Sequence, residues 1–168
     1  MNLMERSIQV IREGQDTTGA YIACPSFDTY KYCWLRDGSF IAYAMDVAGQ
    51  YDSADAFFRW VHDAITTNAE GIRTLIRRYD AGSFIEPHEF PPARYHLDGT
   101  MDTGDWPNFQ LDGYGTWLWA LAEHIGFTQE KSLLKKYEAS IIVSIEYLKR
   151  FWNHENYDCW EENGDKVH

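Results

Sequence analysis

The sequence predicts an all-α domain whose long connections gather at one end of its helices. Apolar residues recur at helical spacing in five segments, and the connections between these segments alternate between short and long. The unusual polar and aromatic residues fall in the long connections. A helical barrel or bundle that carries its functional loops at one mouth has this organisation. The 168 residues suffice for one domain with a sizeable core, so we expect a single domain over residues 1–168.

Each of the five segments has its own boundary signals. Gly49 is a C-cap candidate for the second helix, Ser53 can cap the third, and the fourth ends at Gly126. Thr128 can cap a long fifth helix, with Glu130 in its first turn, where a negative charge suits the helix dipole. The apolar faces, in chain order, are Met4, Ile8, Ile11; Phe40, Ile41, Ala44, Val47, Ala48; Ala54, Phe57, Phe58, Val61, Ile65; Tyr114, Trp117, Leu118, Leu121, Ala122, Ile125; and Leu133, Leu134, Tyr137, Ile141, Ile145, Leu148, Trp152.

Two connections are predicted to be non-helical. Residues 14–36 contain glycine, proline and alternating aromatic residues, which is compatible with a short strand. Residues 71–112 contain four prolines and four glycines, and a short strand is expected near Arg94–Leu97. A connection of this length in a compact domain usually has a function.

Composition excludes several functional classes. The net charge of −11 argues against nucleic acid and anionic membranes as partners, because both require a basic surface, whereas it suits a neutral ligand. No stretch approaches the roughly 18 apolar residues of a membrane span, and Met1–Arg12 lacks the apolar core of a signal peptide. The three cysteines form no CxxC pair. We therefore expect a cytoplasmic protein with free thiols.

The segment Tyr32–Gly38 is the first of three clusters that could carry chemistry. Trp34, Arg36 and Asp37 place an indole, a guanidinium and a carboxylate within four residues, which could stack a sugar ring and bind its hydroxyls. An equally simple interpretation is a helix N-cap at Asp37 with an ordinary Arg–Asp ion pair.

The second cluster, Asp102–Gly113, surrounds Trp106 with amide and carboxylate groups, among them Gln110 and Asp112. Such groups are typical of a polyol site, but also of turns and of a helix N-cap. The aspartates at 102, 105 and 112 could suggest calcium, yet they lack the spacing of an EF-hand, so no metal and no cofactor is predicted.

The third cluster is Trp160-Glu161-Glu162. An apolar ring beside a carboxyl group lowers the local dielectric and raises the pKa, so an indole next to Glu161 is expected to keep it protonated and able to donate a proton. A solvated acidic pair after a helix is the simpler alternative.

Taken together, the three clusters resemble glycoside hydrolase family 15, which includes glucoamylases, glucodextranases and certain trehalases. The resemblance covers about residues 7–168. It depends on the order of Tyr-x-Trp-x-Arg-Asp, then Trp-x-x-x-Gln-x-Asp-Gly before a helix, then Trp-Glu-Glu after the next long helix.

The resemblance implies an (α/α)6 toroid, a barrel of alternating inner and outer helices, of which this chain supplies about the first half with roughly five helices. It implies an inverting hydrolase of α-linked glucosides in which Glu161 is the general acid. The implied substrate-binding residues are Trp34, Arg36, Asp37, Trp106, Gln110, Asp112, Trp160 and Glu162, with Trp106 also in contact with the acid.

The resemblance also implies a general base far downstream of Trp-Glu-Glu, and no residue of this chain matches it. From the resemblance, the expected ligand is an oligosaccharide or glucoside. The expected protein partner is a second copy of the chain or the other half of the barrel. A catalytically inactive carbohydrate-binding or regulatory domain is the main alternative hypothesis, and a purely structural helical domain is a third.

Overall fold

The fold is mostly helical, and the computed structural model describes residues 2–167. Within this range there are seven α-helices and one two-stranded antiparallel sheet. The helices are α1 (Leu3–Glu13), α2 (Leu35–Val47), α3 (Tyr51–Thr67), α4 (Ala69–Asp80), α5 (Asp112–Thr128), α6 (Ser132–Lys136) and α7 (Glu138–Phe151), and the strands are β1 (Cys33–Trp34) and β2 (Arg94–Tyr95).

The inner layer consists of α2 and α5, which run parallel side by side. Gly113 at the start of α5 lies against Leu35 at the start of α2, and a Cβ on Gly113 would be 3.3 Å from the Cβ of Leu35. Near the other ends, His124 of α5 hydrogen-bonds Asp46 of α2 at 2.8 Å. The amino-terminal ends of both helices therefore meet at one end of the domain, and the polar clusters of the sequence lie there.

The outer layer consists of α3 and α7, each connected to an inner helix. Helix α2 ends at Val47 with Ala48 as its C-cap, so the predicted C-cap at Gly49 is one residue too late. Gly49 follows directly with φ 71°, which makes the turn into α3 tight. Helix α7 packs antiparallel to α5, since Trp117 Nε1 donates to Ser144 Oγ at 3.2 Å and Tyr114 contacts Tyr147 one turn away. This alternation of inner and outer helices is that of a partial helical barrel.

Helix α4 lies inside the segment predicted to be non-helical, and that prediction was wrong for residues 71–80. Ile72 and Leu75 are buried, and Ile76 and Tyr79 are partly buried, which is the spacing of one helical face. The remaining residues of α4 are mostly charged or polar, so this narrow apolar stripe was overlooked among them.

Two predicted helix starts were also wrong. Ser53 lies inside α3, and its hydroxyl hydrogen-bonds Tyr21 and Gln15 rather than the helix amino terminus. Thr128 is the last residue of α5, and the predicted long fifth helix is divided into α6 and α7 at Tyr137. The buried Tyr137 side chain reaches Asp55 of α3 at 3.3 Å.

The two-stranded sheet joins distant parts of the chain. In β1 and β2, Cys33 pairs with Tyr95 and Trp34 pairs with Arg94. The hydroxyl of Tyr95 lies 2.6 Å from that of Tyr114, which joins the sheet to α5 inside the core. The short strand expected near Arg94–Leu97 is therefore confirmed at Arg94–Tyr95.

Among the exposed apolar side chains, two groups lie on the helices of the inner and outer layers. Phe40 of α2, Trp119 and Phe127 of α5, and the neighbouring Tyr43 form a chain of ring contacts with centroids 5.0–5.9 Å apart. Phe40, Trp119 and Phe127 are all more than a third exposed. In the outer layer, Ile142 and Ile145 of α7 are also exposed. In the part of the chain described, no helix has the length and apolarity needed to cross a bilayer.

Replacing Gly19 by alanine is expected to destabilise the fold by about 3 kcal/mol. Gly19 has φ 105°, and a Cβ there would lie 2.3 Å from the carbonyl oxygen of Ala56 in α3, so backbone would have to move. Urea unfolding measures the loss. Gly82→Ala is the matched control, because Gly82 has φ 80° with nothing within 4 Å, and it isolates the dihedral cost of about 1 kcal/mol. Equal losses in the two variants would contradict the clash at Gly19.

Candidate active site

The residues of the first cluster are positioned by strand β1 and by the start of α2. Strand β1 ends at Trp34, which is also the N-cap residue of α2 but makes no side-chain cap hydrogen bond. Its indole is therefore available for other contacts. Arg36 and Asp37 follow in the first turn of α2, so the alternative of an N-cap at Asp37 is wrong.

The start of α5 places the second cluster beside the first. Arg36 NH1 donates to Asp112 Oδ2 at 2.8 Å and to Gln110 Oε1 at 3.0 Å. These contacts require close approach of the two helix ends, and the missing side chain of Gly113 permits it, since a Cβ there would lie 3.4 Å from the Arg36 amide nitrogen.

The third cluster lies on the loop that follows α7. Asp158 organises this loop, because its Oδ1 accepts hydrogen bonds from the amides of Trp160 and Glu162 at 3.0 and 3.1 Å. Glu161 takes the left-handed conformation with φ 64°. A non-glycine residue in this region is strained and is often found at functional sites. The loop is anchored to the second cluster by the Tyr157 amide, which donates to Phe109 O at 2.9 Å.

The carboxyl group of Glu161 joins all three clusters. Its Oε1 accepts hydrogen bonds from Trp34 Nε1 at 3.1 Å and from Gln110 Nε2 at 2.9 Å. Arg36 fixes which way the Gln110 amide faces, because a guanidinium can only donate and so must meet Oε1. Oε2 of Glu161 accepts no hydrogen bond from the described residues.

A pocket of about 160 Å³ opens beside this carboxyl group. Trp34, Arg36, Asp37, Trp160 and Glu161 line it, all of which the sequence singled out. Three further lining residues, Ala23, Tyr30 and Cys159, were not foreseen. Tyr30 lies only two residues before the predicted cluster, and its ring contacts Trp34 with centroids 6.0 Å apart.

The electrostatics of the pocket are dominated by one cation among several carboxyl groups. Arg36 is largely buried, and it pairs with Asp112 and, at 3.7 Å, with Asp37. Burial raises the pKa of Asp37 above its ordinary value, although the charge of Arg36 acts in the opposite direction. Burial opposes the charge on Arg36, but its hydrogen bond to Asp112 and the nearby carboxylate charges together outweigh burial and raise the Arg36 pKa.

One expectation for a tryptophan at this site was wrong. The indole that contacts Glu161 is that of Trp34, whereas Trp160 is 79% exposed and cannot shield its neighbour as expected. Trp106 makes no hydrogen bond to the acid, and its Nε1 has no partner within residues 2–167. Glu162 is exposed, and its amide binds Asp158.

Trp106 instead lines a separate cavity of about 330 Å³, together with Phe90, Phe109 and Tyr157. Glu161 does not line this larger cavity. Two of the aspartates considered as calcium ligands have arginine partners, Asp102 with Arg94 and Asp112 with Arg36. Among the residues the structure describes, no group of three potential metal ligands lies together.

Comparison with known proteins decides the family. The chain matches the family described as Glycosyl hydrolases family 15 over residues 1–168. The chain belongs to glycoside hydrolase family 15. The resemblance to family 15 that the three clusters indicated is therefore confirmed.

Two curated relatives differ in their similarity to this chain. An isomaltose glucohydrolase of Kribbella flavida is 36% identical over 167 residues, which are 99% of this chain and 43% of the relative. An uncharacterized glycosyl hydrolase of Methanocaldococcus jannaschii is 26% identical over 164 residues, which are 96% of this chain and 23% of that relative.

Solved structures show the same fold. A wild-type glycosidase has a TM-score of 0.93 and 36% identity, covering 99% of this chain and 44% of its own. A glycosidase variant in complex with glucose has a TM-score of 0.91 and 36% identity, covering 97% of this chain and 44% of its own. The chain thus spans less than half the length of the proteins it matches.

Proposed function

We propose that this chain forms the part of a family 15 glycosidase that binds the terminal glucose unit of an α-linked glucoside and supplies the general acid, Glu161. The single observation that carries the proposal is the Glu161 carboxyl group, held on Oε1 by Trp34 and Gln110 at the edge of a pocket. Two donors on one oxygen favour the tautomer in which the proton sits on the other oxygen.

In the proposed reaction, Oε2 of Glu161 donates its proton to the glycosidic oxygen. The bond between that oxygen and the anomeric carbon breaks, its electron pair stays on the departing alcohol, and a water molecule attacks the opposite face of the sugar. A second carboxylate accepts the proton of this water, and in inverting enzymes it lies roughly 6.5–9.5 Å from the acid. We assign none of the residues of this chain to that role, so it falls to a polypeptide corresponding to the rest of the relatives' length.

The sugar would be held by the groups that surround the acid. The exposed Trp160 offers a flat apolar ring to the C–H face of a pyranose, and Trp34, only 5% exposed, contributes apolar surface to the pocket. Arg36, Asp37 and Asp112 offer donors and acceptors to the sugar hydroxyls. We also assign Trp106 and Gln110 to the residues that contact this terminal sugar. Glu162 is assigned to the next sugar unit of the substrate. Because an isomaltose glucohydrolase is 36% identical to this chain, an α-1,6-linked glucoside is the first substrate to test.

The purified chain is expected to cleave isomaltose with inversion when azide is present. Azide is a nucleophile that needs no base, so it attacks the anomeric carbon directly and gives β-glucosyl azide as Glu161 protonates the leaving oxygen. Proton NMR identifies the product and its anomeric configuration, and tryptophan fluorescence reports sugar binding at the pocket. Maltose and trehalose are run in parallel.

Outcomes of this experiment separate the alternatives. An α-configured azide or α-glucose as first product would contradict inversion. Binding of isomaltose with no cleavage, with or without azide, would favour the carbohydrate-binding domain. Neither binding nor cleavage of any of the three sugars would remove the proposed function altogether.

A further inference from the structure

Arg94 is the most unusual charged residue outside the pocket. It is only 6% exposed, and it lies directly opposite Trp34 in the two-stranded sheet, because Trp34 and Arg94 are partners in the antiparallel ladder. Side chains of such a pair lie on the same face and contact each other. The indole that holds Glu161 therefore has a buried cation as its cross-strand neighbour.

Three aromatic rings surround the Arg94 guanidinium. Its central carbon lies 4.0 Å from the ring centroid of Trp106, 4.3 Å from that of Tyr32 and 5.4 Å from that of Trp34. All three distances are within the range of cation–π attraction, which is strongest when the cation is desolvated. The rings of Trp34 and Trp106 also meet edge to face with centroids 5.8 Å apart.

Asp102 holds the guanidinium in this position. Arg94 Nε donates to Asp102 Oδ2 at 2.6 Å, and Asp102 is itself 7% exposed. Burial opposes the charge on Asp102, but the hydrogen bonds from Arg94 and the Gly104 amide, together with the nearby positive charge, outweigh burial and lower the Asp102 pKa. A weaker contact from Arg94 NH1 reaches Thr29 O at 3.5 Å. The guanidinium is thus fixed in its plane by contacts independent of the aromatic rings.

We propose that Arg94 is a positioning residue, which fixes the Trp34 indole through its planar guanidinium so that the indole N–H holds the general acid. This inference rests on the proposed function for the role of Glu161, but the geometry it describes can be measured without any reaction. Lysine at this position would keep the charge and could pair with Asp102. It has no planar face, so it could not fill the space between Tyr32 and Trp106.

The indole N–H resonances of the 15N-labelled chain provide the measurement. The Trp34 signal is assigned from its loss in Trp34→Phe, and in the wild-type background it is expected to shift in Glu161→Gln because the acceptor changes. In the Arg94→Lys background the Trp34 signal is expected to move and to lose its response to Glu161→Gln. A Trp34 signal that responds to Glu161→Gln equally in both backgrounds would overturn the proposal.

Cleavage of two substrates gives a second, functional readout. A misplaced acid slows isomaltose cleavage by on the order of 10²-fold, but slows that of α-glucosyl fluoride far less, since fluoride leaves without strong acid assistance. Uniform loss for both substrates would indicate a merely structural role. Arg78→Lys is the control, because Arg78 pairs with Glu89 at an exposed site on α4. If neither the wild-type chain nor any variant cleaves either substrate, the proposed function fails. The NMR experiment would still test the role of Arg94.

A double variant separates the role of the guanidinium plane from the effect of leaving a buried carboxylate without its partner. Arg94→Met leaves Asp102 buried without its partner, whereas Arg94→Met with Asp102→Asn removes both charges. The double variant is expected to regain the wild-type far-UV circular dichroism but not the Glu161-dependent Trp34 signal. Recovery of that signal would overturn the role of the guanidinium plane, and unfolding of both the lysine and the double variants would assign Arg94 to stability alone.

Discussion

Replacing Glu161 by glutamine is expected to lower the rate of isomaltose cleavage by on the order of 10²–10⁴-fold, while the affinity for the sugar changes little. Glutamine has the shape of glutamic acid, and its carbonyl oxygen can still accept hydrogen bonds from Trp34 and Gln110. It has no proton to give to the leaving oxygen. The geometry of the pocket is thus retained and only the proton transfer is lost.

The measurement is cleavage in the presence of azide, with binding followed by tryptophan fluorescence. α-Glucosyl fluoride is expected to lose much less rate than isomaltose, because its leaving group is a weak base. Glu155→Gln is the matched control, since Glu155 is an exposed glutamate on the same terminal segment. Turnover of isomaltose by the Glu161→Gln variant at the wild-type rate would exclude Glu161 as the acid.

Replacing His124 by leucine is expected to destabilise the domain by about 3–5 kcal/mol. His124 and Asp46 are almost completely buried between the two inner helices, and His124 is the only hydrogen-bond partner of the Asp46 carboxyl group within residues 2–167. Without it, a buried carboxyl group has no partner. The loss is large compared with the stability of a typical domain, about 5–15 kcal/mol.

Urea unfolding at pH 7 measures this loss, and a double-mutant cycle identifies its cause. Removing both members of a buried pair is usually far less costly than removing one. The variant that combines His124→Leu with Asp46→Ala is therefore expected to recover at least about half of the lost stability. A loss below about 1 kcal/mol in His124→Leu alone would contradict a role for this pair in joining α2 to α5.

The parts of the fold that could be predicted are those with a wide apolar face. The stripe from Tyr114 to Ile125 predicted α5, and Gly49 placed the end of α2 one residue too late. Helix α4 was missed because its narrow stripe lies among charged residues. The interruption at Tyr137 leaves no local signal, because it depends on the contact of that side chain with Asp55 of another helix.

For the candidate site, the clusters could be read from the sequence but their geometry could not. Trp34, Gln110 and Glu161 were all singled out, and the structure joins them by hydrogen bonds. The indole expected to contact Glu161 was the wrong one, since the choice between Trp34 and Trp160 depends on the backbone of a loop. Arg94 was not foreseen because its surroundings arise only when β1 and β2 pair.

The hydrogen bond between Trp34 and Glu161 joins residues 127 positions apart. Contacts with such separation carry a high entropic cost of loop closure and form late in folding, after local helices are established. Helical circular dichroism should therefore appear before the Trp34 indole signal during refolding. Amide exchange should likewise be faster at Trp160 and Glu162 than in α5, because the terminal loop can open without unfolding the core.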